Sequence, residues 1–314
     1  MKMMVTMGWL FIAIVHKAEP FISDNFTDCR NFFYNQMLPD GFQDIALSHR
    51  FNPLDLPDGI KVEELSSPVY ICQQYGNKIY FASLYDRGRR VPLYSAYILD
   101  RRSSSNSTNK RKHNFNIEPQ LVYRQLDGTI LREYSTKIKI GKYNKEHGIS
   151  EKEEKNRPHY LIPTSQAVDA DYYKNKHYGR GHVNPRGHHV DGDKQNATFT
   201  FTNVVPMNKD LNNGNWNQYE NKMIGYADGC TTMYVVTGIV PGNNWIKGDR
   251  VNIPSHVWNA YCCVDNNGKP IRSGAGLVNN TKEMVYEIAM KELQMQLTNL
   301  LNTTHIAIFQ NNCA

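Results

Sequence analysis

Two adjacent cysteines, Cys262 and Cys263 in "HVWNAYCCV", constrain this chain more than any other feature. The segment reads as a strand, and neighbours on a strand point to opposite faces of a sheet. The two thiols are therefore poorly placed to bridge each other. Each needs its own partner. Cys230 and Cys313 are the nearest candidates, which leaves Cys29 for Cys72. The wide spacing of these cysteines argues for staples on a cored domain and against a zinc site.

An even number of cysteines suits an oxidising compartment, and the first residues agree. "MKMMVTMGWLFIAIVHKA" has a lysine, then an apolar run from Met7 to Val15, then the small Ala18. That is the pattern of a secretory signal over residues 1–18, with 19–314 as a single mature domain. The run is too short to span a bilayer as a helix, and no other segment has the length of a membrane span. Sequons at Asn25, Asn106, Asn196, Asn279 and Asn302 offer glycosylation sites. The expected protein is secreted and soluble. Its net charge of +6 favours polyanionic partners by steering without naming one.

With 40% hydrophobic residues the chain has enough apolar material for a core. "VYICQQYGNKIYFASLYDRGRRVPLYSAYIL" alternates aromatic and β-branched residues about a Gly-Asn turn, which predicts a hairpin and a further strand. Residues 100–114 and 141–158 read as charged loops. Strands are expected over 198–205, 231–240 and 250–264. A helix is expected over 213–227, where Trp216, Tyr219, Met223 and Ile224 recur at helical spacing. A C-terminal helix is expected to begin with a capping box of Asn280 and Glu283, with an apolar stripe of Val285, Ile288, Ala289, Leu293, Leu297 and Leu301. Strands and helices mingle without a βαβ rhythm. The fold class is therefore α+β, a mainly antiparallel central sheet flanked by helices.

Chemistry concentrates in "YGRGHVNPRGHH", residues 178–189, with three histidines and two arginines among three glycines. Downstream, Asn212, Trp216 and Glu220 recur at i, i+4 and i+8, a spacing that stacks them on one helical face. A turn bearing His182 would face the Asn212 amide. His177, His188 and His189 match no zinc-binding spacing and read as surface loop residues. Tyr172 and Tyr173, beside Lys174 and Lys176, read as sheet packing, with base stacking as the other use of such rings. Trp216 reads as core.

These residues resemble the motif of the DNA/RNA non-specific endonucleases, a ββα-metal family. The family pattern is Asp-Arg-Gly-His, a strand ending near "TNVVPQ", then Asn-x-x-x-Trp-x-x-x-Glu. The matching text here is "GRGH" at 179–182, "FTNVVPM" at 201–207 and "NNGNWNQYE" at 212–220. "ASLYDRGRRVPLYSAYIL", "EPQL", "IPSHVWNAYCC" and Cys313 further resemble the vertebrate endonuclease domain-containing 1 branch. The resemblance implies a ββα-metal motif and a secreted, Mg²⁺-dependent (or Mn²⁺-dependent) endonuclease that hydrolyses DNA and RNA to 5′-phosphate ends. It implies His182 as general base, Asn212 as the metal ligand, Glu220 as holder of metal-bound water, and Arg180 as a support or phosphate contact. Phosphate contacts carry no base information, so weak sequence preference follows. Two departures stand out. The family's Asp is Gly179 here. Its upstream phosphate-binding arginine falls in "KRKHNF", where Arg111, Lys112 and His113 are candidates and Arg111 is taken as substrate-binding. The alternative is a catalytically impaired module that binds extracellular nucleic acid or protein.

Overall fold

The computed structural model describes residues 22–23, 25–47, 67–100, 114–148, 158–309 and 313. The expected signal segment 1–18, the sequon at Asn106 and the trio Arg111, Lys112 and His113 lie outside the described residues. A short strand β1 (Ile22–Ser23) and two 3-10 turns precede helix α1 (Gln43–Leu47). The expected hairpin and strand follow as β2 (Val69–Tyr75), β3 (Lys78–Asp86) and β4 (Val91–Ile98). Tyr75 pairs with Lys78 across Gly76 and Asn77, and Gly76 sits at φ 61°, the left-handed backbone that a two-residue hairpin turn demands.

The chain then leaves the sheet. Helices α2 (Glu133–Glu146), α3 (Pro158–Ser165) and α4 (Asp169–Tyr172) come first. Strand β5 (Tyr178–His182), helix α5 (Gly192–Ala197) and strand β6 (Val204–Asn208) follow. Helices α6 (Lys209–Asn213) and α7 (Asn215–Tyr226) complete this excursion. It ends at β7 (Thr232–Val240), which pairs with β4. The remaining elements are β8 (Asn244–Ile246), β9 (Val251–Ile253), β10 (His256–Val264), β11 (Pro270–Asn279), β12 (Tyr286–Ile288) and helix α8 (Met290–Leu300). Eight strands form the central sheet in the order β1-β2-β3-β4-β7-β10-β11-β12, every neighbouring pair antiparallel. Separate two-stranded ribbons join β5 to β6 and β8 to β9.

The faces of β10 explain the paired cysteines. On one face Asn259 accepts a hydrogen bond from the Tyr219 hydroxyl of α7 at 3.4 Å, and Cys263 bridges to Cys230 just beyond that helix. On the other face Trp258 stacks on Phe42 with ring centroids 5.5 Å apart, and Cys262 bridges to Cys313. Cys29 bridges to Cys72. Each neighbouring thiol thus meets a partner on its own side, as strand alternation requires.

Several expected elements differ. The strand over 198–205 is instead a 3-10 turn at Phe201–Asn203 running into β6. Its threonine hydroxyls bind the Gln195 carbonyl and the Glu118 carboxyl, so those side chains serve local bonds that a regular ladder would not supply. The charged stretch from 141 begins as the last turns of α2. The strand over 250–264 divides at Pro254, which supplies no N–H to a ladder. Asn280 does not cap the C-terminal helix, which begins only after Ala289, because Tyr286–Ile288 are taken by the sheet edge. The buried Asn280 amide instead donates to the Pro206 and Pro254 carbonyls and accepts from the Asn208 N–H. Leu293 and Leu297 of the expected stripe are buried.

Candidate active site

The "RGH" run is built as one strand of the β5–β6 ribbon. Arg180, Gly181 and His182 lie opposite Pro206, Val205 and Val204. Gly181 is obligatory here, because a Cβ at that position would stand 2.4 Å from the Met207 Cβ. Gly179 is under no such constraint, with only the Lys209 Cγ at 3.6 Å from a Cβ built there. Beyond His182 the buried Asn203 amide clasps the loop. Its Oδ1 accepts from the Asn184 N–H and its Nδ2 donates to the Asn184 carbonyl, at 2.9 and 3.0 Å. A 3-10 turn at Arg186–His188 follows.

The helices arrive directly from β6. Asn208 caps α6 by accepting from the N–H groups of Asp210 and Leu211. At Gly214 the backbone breaks (φ −111°, ψ −109°), and a Cβ there would meet the Asp210 carbonyl oxygen at 2.5 Å. The helix expected over 213–227 is therefore α7 alone. Asn212 sits on α6 while Trp216 and Glu220 sit on α7, so the three are not on one continuous face. Trp216 is core, as expected.

The break does not separate the chemistry. Arg180, His182, Asn212 and Glu220 all line one open cleft of about 510 Å³, together with Arg186, His188 and Asn217. The His182 ring stands edge-on to Phe199 (centroids 5.2 Å apart) and tilted against Phe115 (5.5 Å). Arg180 pairs with Asp169 of α4 and lies over the rings of Phe115, Tyr172 and Phe201. Burial pushes the Glu220 carboxyl up to about 8.

Two histidines read as surface residues are buried. His188 is 1% exposed and His189 4%. His188 bridges the Tyr97 hydroxyl and the Glu220 backbone carbonyl; His189 meets the Asn184 Oδ1 at 2.8 Å. Burial, with the neighbouring His188 and Lys194, holds the His189 pKa well below the usual histidine value. Only His177 of the three is exposed. Tyr172 packs inside, as expected, whereas Tyr173 is 59% exposed. Of the sequons, Asn25 and Asn302 are exposed, and Asn196 and Asn279 half-buried. The sequence reading missed Asn213, Asn217 and Asn221, which line the cleft at four-residue spacing. That periodicity was the available signal.

The donor set suits a hard divalent cation. A carboxamide and a carboxyl, both half-buried, share the cleft, and among the described residues no group of three or more His, Cys, Asp or Glu could hold a metal. An ion that keeps several of its waters needs few protein ligands. No helix of the described residues is long and apolar enough to cross a membrane.

The chain is 27% identical over 295 residues to human Endonuclease domain-containing 1 protein, covering 92% of this chain and 48% of that one. It is 24% identical over 168 residues to the mouse mitochondrial nuclease EXOG, covering 49% of this chain and 45% of the other. It spans about half the length of the curated relatives it matches. The crystal structure of the EndoG/EndoGI complex contains a chain with a similar fold, at TM-score 0.50 and 16% identity over 76% of this chain and 86% of that one. The DNA/RNA non-specific endonuclease family implies a divalent metal ion. The sequence pattern of the family matches residues 59–314, and this chain accordingly belongs to the DNA/RNA non-specific endonucleases.

Proposed function

We propose that the chain is a secreted, Mg²⁺-dependent nuclease that hydrolyses phosphodiester bonds in both DNA and RNA. One observation carries the reading: His182, Arg180, Asn212 and Glu220 reach a single solvent-open cleft from β5, α6 and α7. An imidazole is the side chain that exchanges protons near neutral pH. His182 takes the proton of the attacking water, with its ring plane fixed by Phe199 and Phe115. Arg180 faces the phosphate, its own orientation set by Asp169 and by three aromatic rings. Asn212 would hold the metal directly, and Glu220 would hold its water. Bound there, a divalent cation neutralises charge that builds on the phosphoryl oxygens. The disulfides and exposed sequons at Asn25 and Asn302 support passage through an oxidising secretory compartment.

Purified protein with Mg²⁺ is expected to nick plasmid and degrade RNA, and His182→Ala to lose about 10²- to 10⁴-fold in rate. Equal cutting by both proteins would remove His182 from the reaction. A folded wild type that binds DNA with salt-dependent affinity but never cuts, with Mg²⁺ or Mn²⁺, would select the impaired binding module instead.

A further inference from the structure

Beneath α7 runs a buried line of hydrogen bonds that starts and ends on neighbouring residues of that helix. The Tyr219 hydroxyl donates to Asn259 Oδ1 on β10 at 3.4 Å, and Asn259 Nδ2 donates to Thr237 Oγ1 on β7 at 2.7 Å. Thr237 Oγ1 meets the Tyr97 hydroxyl on β4 at 3.3 Å, and that hydroxyl meets His188 Nδ1 at 2.9 Å. His188 Nε2 reaches the Glu220 backbone carbonyl at 3.0 Å. All five side chains are buried, Tyr97 completely.

The last link fixes the tautomer of a neutral ring, and the other directions follow from it. A carbonyl oxygen only accepts, so His188 Nε2 carries hydrogen. A neutral ring then accepts at Nδ1, and Tyr97 donates to it. The Tyr97 oxygen is left to accept from Thr237, and Thr237 from the Asn259 amide. Each donor is used once and no two donors face each other.

Helix α7 has no side-chain cap, and the break at Gly214 separates it from α6. Helical continuity therefore does not fix how Glu220 stands relative to Asn212. We propose that His188 is a positioning residue: its Nε2–H, with the ring held from the other side by Tyr97, anchors the backbone at Glu220 and so sets how that carboxyl faces the ion site. This rests on the nuclease reading above.

The test compares wild type, His188→Ala, His188→Gln and, as a stability control on α8 away from the cleft, Leu297→Ala. Mn²⁺ affinity is read by titration in the absence of substrate, and cutting by steady-state kinetics. His188→Ala is expected to weaken Mn²⁺ binding and lower kcat by about 10- to 100-fold, with KM for DNA little changed. His188→Gln, whose amide can donate to the same carbonyl, recovers most of both, and Leu297→Ala changes neither. ¹⁵N NMR of wild type shows His188 protonated at Nε2 alone. Should His188→Ala not fold, Tyr97→Phe removes only the hydroxyl that holds the far side of the ring; it is expected to weaken Mn²⁺ binding. Mn²⁺ affinity and kcat in His188→Ala equal to wild type, or no lower than in Leu297→Ala, overturn the assignment, as does Tyr97→Phe with Mn²⁺ affinity unchanged. A wild type that neither binds Mn²⁺ nor cuts overturns the nuclease reading and this one with it.

Discussion

At the scale of single residues, two glycines two positions apart carry opposite constraints. A side chain at 181 collides with Met207, whereas a Cβ at 179 meets only the Lys209 Cγ, at ordinary contact distance. Gly181→Ala is therefore expected to cost about 1–3 kcal/mol, the range for overpacking a close contact. Gly179→Asp, which restores the acid of the family motif, is expected to stay within about 0.5 kcal/mol of wild type, as for surface changes. Urea midpoints measure both, and equal losses at the two positions would refute the steric account. Arg180 already has a carboxylate partner in Asp169, so the missing motif acid does not leave the guanidinium without one.

At the scale of elements, the 3-10 turn that delivers β6 to the site rests on one buried carboxyl. Glu118 Oε1 accepts from Gln73 Nε2 at 2.8 Å and from Thr202 Oγ1 at 2.9 Å. Burial outweighs these bonds and pushes its pKa from 4.5 to about 7. The folded state thus binds the Glu118 proton more tightly than the unfolded chain does. The stability this gives is present below pH 4.5 and is lost as pH rises through about 7. A gap of that size is worth on the order of 3 kcal/mol between the two limits. Glu118→Gln keeps the accepting oxygen and cannot ionise. Its unfolding free energy is expected to be flatter than that of wild type between those pH values. Parallel pH profiles for the two proteins would show that Glu118 ionises alike in the folded and unfolded chains.

At the scale of the whole molecule, the disulfides divide their work between the faces of the sheet. The Cys262–Cys313 bridge closes a separation of 51 residues on the face opposite α7, which chain entropy values at about 4 kcal/mol. The double variant Cys262→Ala/Cys313→Ala is expected to unfold at lower urea yet cut at nearly the wild-type rate while folded. A lost rate with an unchanged midpoint would contradict that division. That Cys262 and Cys263 need separate partners was legible because strand alternation is a local rule that they obey whatever surrounds them; which of Cys230 and Cys313 each takes was not. The Gly76–Asn77 hairpin and the strand from Thr232 were legible for the same reason. That His182, Asn212 and Glu220 belong together was legible, and they do line one cleft, but their arrangement was not legible. The spacing of Asn212 and Glu220 implied one helix, and Gly214 broke it. His188 and His189 looked like a polar loop, and Asn280 like a cap. Their partners lie 91, 5 and 74 residues away or across the sheet, at Tyr97, Asn184 and Pro206. By itself the sequence determined which segments alternate, which thiols must part company and which family the chain belongs to. Only the tertiary structure decided which polar groups are buried together, because the cost of burying each depends on a partner that the path of the chain, and no local period, brings within hydrogen-bond reach.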